Sequence, residues 1–107
     1  MIYSVSLSNQ AKVDIEVVLA WFARQQAIDA GNRWVADLYN KAQTLQHNPL
    51  RCAIVPKYST QACDVRELLF GKRLIKYRLF FEIQNQTFNI LRVWHSSRDE
   101  ILPSELR

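Results

Sequence analysis

A chain of 107 residues has room for one hydrophobic core and not two, so one domain spanning residues 1–107 is expected. About half of it is apolar (49%), with three Trp, four Tyr and five Phe, and only two Gly and three Pro, which excludes a disordered, collagen-like or low-complexity chain. The formal net charge of +4 lies in residues 51–107, which hold ten basic and six acidic side chains against four and four in residues 1–50; such a half suits an acidic partner, nucleic acid or peptide, or an ordinary soluble surface.

The elements follow in chain order. Ile2-Tyr3-Ser4-Val5-Ser6-Leu7 alternates apolar and polar, the period of a half-buried strand. Ser8 and Asn9 offer cap oxygens to a helix from Gln10 to about Ala30. Ala11, Ile15, Val18, Leu19 and Phe22 form its apolar face, which Val17 and Trp21 widen. Gly31 suits a left-handed helix end. A second helix is expected over Arg33–Gln46, with Trp34 or Val35, Leu38, Ala42 and Leu45 as its stripe, stopped by His47-Asn48-Pro49. The short link makes the two helices antiparallel neighbours. Leu50 to Cys63 reads as a long, mildly basic loop carrying Arg51 and Lys57.

Three strands follow: Asp64–Phe70, Leu74–Gln84 and Thr87–Ser96, with turns at Gly71-Lys72 and Asn85-Gln86. The class is α+β in the order β-α-α-β-β-β, with two antiparallel N-terminal helices packed on one face of a mostly antiparallel sheet. No apolar run approaches the ~18 residues of a membrane span. The start MIYSVSLSNQ lacks the pattern of a secretion signal, so the cytoplasm is the expected location, with no membrane contact. Cys52 and Cys63, without a Cys-x-x-Cys or a nearby His pair, read as two reduced thiols; no metal site is expected.

Two-residue turns set the registers. In the second hairpin Gln84 then faces Thr87. Tyr77, Leu79, Phe81 and Ile83 share the helix-side face with Trp94, Arg92, Ile90 and Phe88. Lys76 then lies opposite His95, and Arg78 opposite Val93. In the first hairpin Glu67 faces Lys76, Val65 faces Arg78 and Leu68 faces Ile75. The expected result is Glu67, Lys76, Arg78 and His95 together on the outer face, with Arg98 just beyond. Two cations suit a phosphate or its charged transition state, and a histidine can exchange a proton near neutral pH. The plain alternative is a surface ion-pair ladder from Glu67 to Lys76.

With its short strand and two helices followed by VRELLFG, YRLFFEI and ILRVWHSSRD, the chain resembles the RelE/ParE superfamily of toxins from bacterial type II toxin–antitoxin modules. The resemblance covers nearly the whole chain and is strongest from Val65 to Asp99. It implies a cytoplasmic toxin that arrests growth, blocked by a cognate antitoxin that alone brings it to operator DNA, and it calls for no cofactor. Two activities occur in the superfamily: metal-independent cleavage of mRNA on the ribosome by the RelE-like members, and inhibition of DNA gyrase by the ParE-like members, which need no catalytic residues. For cleavage, the resemblance places Arg78 at the scissile phosphate, His95 at an acid–base position and Arg98 at a further basic position, with Arg51, Lys57 and Lys76 against the RNA backbone. His95 and Arg98 also suit a structural role. No Tyr follows Tyr77, where many ribosome-dependent members carry one, and the Leu50–Cys63 loop holds no Glu. The expected sharing of one face by Arg78 and His95 favours the ribonuclease (mRNA interferase) reading, with gyrase inhibition as the alternative and a non-toxic antitoxin binder as a third.

Overall fold

The computed structural model describes residues 3–72, 75–98 and 100–107. Strand β1 (Ser4–Leu7) leads into helix α1 (Asn9–Arg24), with Ser8 as N-cap. The Ser8 hydroxyl accepts from the Ala11 N–H at 3.0 Å and donates to the Leu91 carbonyl at 2.7 Å, so the cap also ties the helix start to the sheet. The expected strand start at Ile2 lies outside the described residues.

Helix α1 ends six residues earlier than the expected Ala30. Gln26 takes the left-handed conformation (φ 56°), and the Ala27 N–H returns to the Phe22 carbonyl at 2.9 Å. Helix α2 then runs over Ile28–Gln43, followed by a 3-10 turn at Thr44–Gln46. Gly31, expected to end α1, is instead inside α2 and buried. A Cβ there would stand 3.0 Å from the Phe22 Cβ, so the glycine permits the two helices to approach.

The segment expected to be a loop holds a two-residue strand, β2 (Ala53–Ile54), flanked by 3-10 turns at Pro49–Arg51 and Pro56–Tyr58. Strands β3 (Val65–Lys72), β4 (Ile75–Gln84) and β5 (Thr87–His95) complete a five-stranded sheet in the order β1-β5-β4-β3-β2. The β1–β5 pair is parallel and the others are antiparallel. The expected α+β class and its two-helix layer are present. Strand β3 runs through the expected Gly71-Lys72 turn, and the expected strand start at Leu74 lies outside the described residues.

Both registers differ from expectation. Between β3 and β4, Glu67 faces Phe80, Leu68 faces Leu79 and Leu69 faces Arg78. Each partner is displaced by an even number of residues, so side chains keep their expected faces. Between β4 and β5, Gln84–Thr87, Ile83–Phe88 and Phe81–Ile90 pair as expected, but the next pair is Phe80–Arg92. Leu91 is thus an extra residue, a bulge, and beyond it every β5 side chain meets the neighbour of its expected partner. Tyr77 faces His95, Leu79 faces Val93 and Arg78 faces Trp94.

The helix-side core contains Ala11, Ile15, Trp34, Leu38, Leu45, Leu79, Phe81, Phe88 and Ile90. Val17 and Trp21, expected to widen this contact, are 60% and 48% exposed. The opposite face, expected to be open and charged, carries a second core of Tyr58, Val65, Phe80, Leu91, Trp94, Ile101 and Leu106. Trp94, expected on the helix side, is here because of the bulge. Tyr58 anchors the cover by donating its hydroxyl to the Ile101 carbonyl at 2.6 Å. Burying Phe80, Phe81 and Phe88 contributes roughly 1.5–3 kcal/mol each.

Candidate functional site

Arg78 lies midway along β4 on the face away from the helices. Its Nε and Nη2 both donate to Glu67 Oε2, at 2.9 and 2.6 Å, across the β3–β4 pair. Its guanidinium also lies 4.6 Å from the centre of the Phe80 ring. The expected Glu67–Lys76 ladder is therefore a Glu67–Arg78 pair, with both side chains about three-quarters buried. Lys76 is exposed at the start of β4.

His95 occupies the opposite face. Its ring meets the Tyr77 ring edge-on at 4.9 Å, and Tyr77 in turn meets Trp34 of α2 at 5.1 Å. The Ser97 N–H donates to His95 Nδ1 at 3.0 Å, and the Ser97 Oγ lies 2.6 Å from the same nitrogen. An accepting Nδ1 leaves the ring proton on Nε2. Burial raises the Tyr77 hydroxyl above its ordinary pKa, so it stays protonated through neutral pH. The sheet itself separates His95 from Arg78, and the expected four-residue cluster is not formed.

The other expected contacts serve the fold. Arg98 lays its guanidinium 3.7 Å from the centre of the Trp94 ring, and the Arg92 guanidinium lies 5.0 Å from it. Arg51 donates to the carbonyls of Thr44 and Asn48 and to the Thr44 hydroxyl, closing the end of the second helix. Lys57 pairs with Glu100 in the C-terminal segment. Of the six expected site residues, only Lys76 makes no side-chain hydrogen bond, ion pair or ring contact among the described residues, and the six converge on no common point.

An unexpected residue is Asp14. It is 8% exposed and grips β5. Its two carboxylate oxygens accept from Arg92 Nη2 and Nε, both at 2.8 Å, and Oδ2 also accepts from the Val93 N–H at 2.9 Å. The hydrogen bonds to Asp14 raise the Arg92 pKa further above its ordinary value. The sequence signal for this pair is weak, because 78 positions separate the partners.

Burial raises the pKa of both free thiols, Cys52 and Cys63, and keeps them protonated at neutral pH. Among the described residues, no group of three His, Cys, Asp or Glu side chains is placed to hold a metal ion. No described helix is long and apolar enough to cross a membrane. A cleft of about 620 Å³ opens between α2 and the end of β3, with Phe22, Trp34 and Phe70 at its floor and Arg33, Asp37 and Lys41 around it.

The fold is shared with a solved structure described as the chromosomal ParDE TA system from P. aeruginosa. The two are 17% identical, with a TM-score of 0.70 over 88% of this chain and 96% of that one. No curated protein sequence matches. The pattern that defines the ParE toxin of the type II toxin–antitoxin system parDE matches residues 5–100. With nearly the whole length covered, this chain belongs to the ParE toxin family of type II toxin–antitoxin systems.

Proposed function

We propose that this chain is the toxin of a ParDE-like module, and that it arrests growth by binding DNA gyrase in the cytoplasm, without cutting RNA. The observation that carries this reading is the placement of the two best candidates for RNA cleavage. Arg78 is engaged by Glu67 on one face of the sheet, and His95 stacks on Tyr77 on the other. Cleavage of RNA through the 2′-hydroxyl needs a phosphate-binding cation and a proton-transfer group within reach of one phosphate. Membership of the ParE family favours the same reading. The partner that restrains the toxin is then a cognate antitoxin.

The test is to induce the chain and follow translation and DNA separately. DNA breaks and an SOS response with continued incorporation of labelled amino acids support gyrase as the target. Rapid loss of incorporation, with mRNA cut at codons on the ribosome, would sink the reading and restore the ribonuclease.

A further inference from the structure

Strand β2 covers only the first part of the outer edge of β3. Ala53 faces Glu67, Ile54 faces Arg66, and the Val55 N–H donates to the Val65 carbonyl at 2.7 Å. Before Ala53 the chain leaves the edge in the 3-10 turn Pro49–Arg51, where Arg66 Nη1 donates to the Leu50 and Cys52 carbonyls. In an antiparallel sheet, alternate residues turn both main-chain groups toward the same neighbour. Val65 turns its carbonyl toward β2, so Leu69 turns its N–H and carbonyl to that side too, beyond the end of β2. Neither Leu69 group has a hydrogen-bond partner among the described residues. Sheet edges are ordinarily guarded by charge, proline or a covering segment, whereas this one carries a leucine that is 54% exposed.

The cleft of about 620 Å³ lies beside the same stretch, with Leu69, Phe70 and Gly71 on one side and α2 on the other. A free main-chain donor and acceptor next to an apolar trough suit an extended segment. A helix uses its N–H and C=O groups internally and has none to offer Leu69. On the α2 rim, Arg33 and Lys41 are exposed, and neither forms an ion pair among the described residues. They are separated by about 12 Å along the helix axis. Residues i and i+4 of a strand are about 13 Å apart, and with i+2 they share one face. Acidic residues at i and i+4 thus reach both cations, with an apolar residue at i+2 over Trp34 and Phe70. Asp37, between the two cations on the rim, disfavours a third acid at i+2.

We infer that the β3 edge and this cleft form a strand-addition site for an extended segment of a partner protein, acidic at i and i+4 and apolar at i+2. Leu69 exchanges main-chain hydrogen bonds with the segment, and apolar residues at i+1 and i+3 cover its side chain. A second copy of the chain does not fit, because its β3 offers Arg66 on the helix-side face where an acid is needed. The inference is independent of the toxin's target.

The probe is the synthetic peptide acetyl-Glu-Val-Phe-Val-Glu-amide, titrated into the isotope-labelled full chain. Saturable shifts of the Leu69 and Gly71 amide signals are expected, with slower solvent exchange of the Leu69 N–H. Leu69→Pro removes an outward N–H, a change that edge strands accept, so it should keep the circular dichroism of the parent and weaken binding at least ~10-fold. Arg33→Glu/Lys41→Glu, on exposed helix positions, should weaken binding by a similar factor, and this variant carries the test if Leu69→Pro does not fold. Of two further peptides, one N-methylated at the phenylalanine and one at both valines, only one should lose binding, because a strand turns alternate N–H groups to the edge. No saturable binding up to ~1 mM peptide overturns the inference. So do equal binding by the two methylated peptides, shifts that leave Leu69 untouched, and parent-like binding by folded Leu69→Pro or by Arg33→Glu/Lys41→Glu.

Discussion

Arg78 and His95 sit on neighbouring strands of one sheet yet point to opposite sides of it, because the extra residue Leu91 shifts the end of β5 by one position. Without the bulge, His95 would stand beside Lys76 on the face of Arg78. With it, His95 joins the aromatic line of Tyr77 and Trp34.

The first prediction follows from that separation. The double variant Arg78→Ala/His95→Ala is expected to keep its growth-arresting activity, measured by colony counts after induction. Its stability should fall by about 1–2 kcal/mol in urea denaturation, mainly because Glu67 loses its partner in a partly buried place. Adding Glu67→Ala should recover part of that loss. Toxicity lost at preserved stability would contradict the proposed mode of action.

Asp14 is the second test. It satisfies the Val93 N–H and both inner Arg92 nitrogens where α1 meets β5. Asp14→Ala leaves the buried Val93 N–H and two nitrogens of a largely buried guanidinium without their acceptor, though the third still donates to the Glu105 carbonyl, and should cost about 3–5 kcal/mol. Asp14→Asn keeps one acceptor oxygen and should cost less. Chemical denaturation of the two variants gives the comparison.

The two helices supply a third. Gln26 holds a left-handed backbone (φ 56°) that glycine adopts without strain. Gln26→Gly should stabilise the chain by about 0.5–1 kcal/mol. Gly31→Ala gains about 1 kcal/mol of helix propensity but drives a Cβ to 3.0 Å from the Phe22 Cβ. Overpacking at such a rigid neighbour costs about 1–3 kcal/mol, so the net effect should be a lower melting temperature.

The C-terminal segment gives a fourth. Leu106 and Ile101 are each 1% exposed and seal the second core. Leu106→Ala should cost about 2–4 kcal/mol. Cys52, buried in the helix-side core, provides a readout of the lost global stability, since its labelling at neutral pH should speed up as unfolding becomes more frequent.

The fifth concerns pH. The hydrogen bond between Lys57 and Glu100 holds the Glu100 carboxyl below its ordinary value of 4.5 and lifts Lys57 above 10.5. The Glu100 contribution is therefore present above pH 4.5 and lost as pH falls through the lowered value. The Lys57 contribution is present below pH 10.5 and lost as pH rises through the raised value. Both groups are solvent-exposed, so the effect is small. Lys57→Met should lower the melting temperature slightly at pH 7 in low salt. The difference should vanish in about 1 M salt, where the screening length is ~3 Å.

By itself the sequence determined the order of the two helices and the four longer strands, the α+β class and most of the helix-side core. Those follow from local periodicity: spacings of three and four in Ala11, Ile15, Val18, Leu19 and Phe22, and alternation through Tyr77, Leu79, Phe81 and Ile83. Two-residue turn chemistry also placed Gln84 opposite Thr87. Only the tertiary structure decided what the outer face is. The bulge at Leu91 has no signature in a run such as NILRVW, where either phase of the alternation buries apolar groups. Packing resolves it by giving Leu91 and Trp94 a second core under Ile101 and Leu106. That choice turned His95 away from Arg78. The partners of Asp14 and Arg92 were likewise set by tertiary contact, because a carboxylate and a guanidinium distant in sequence carry no local pattern linking them.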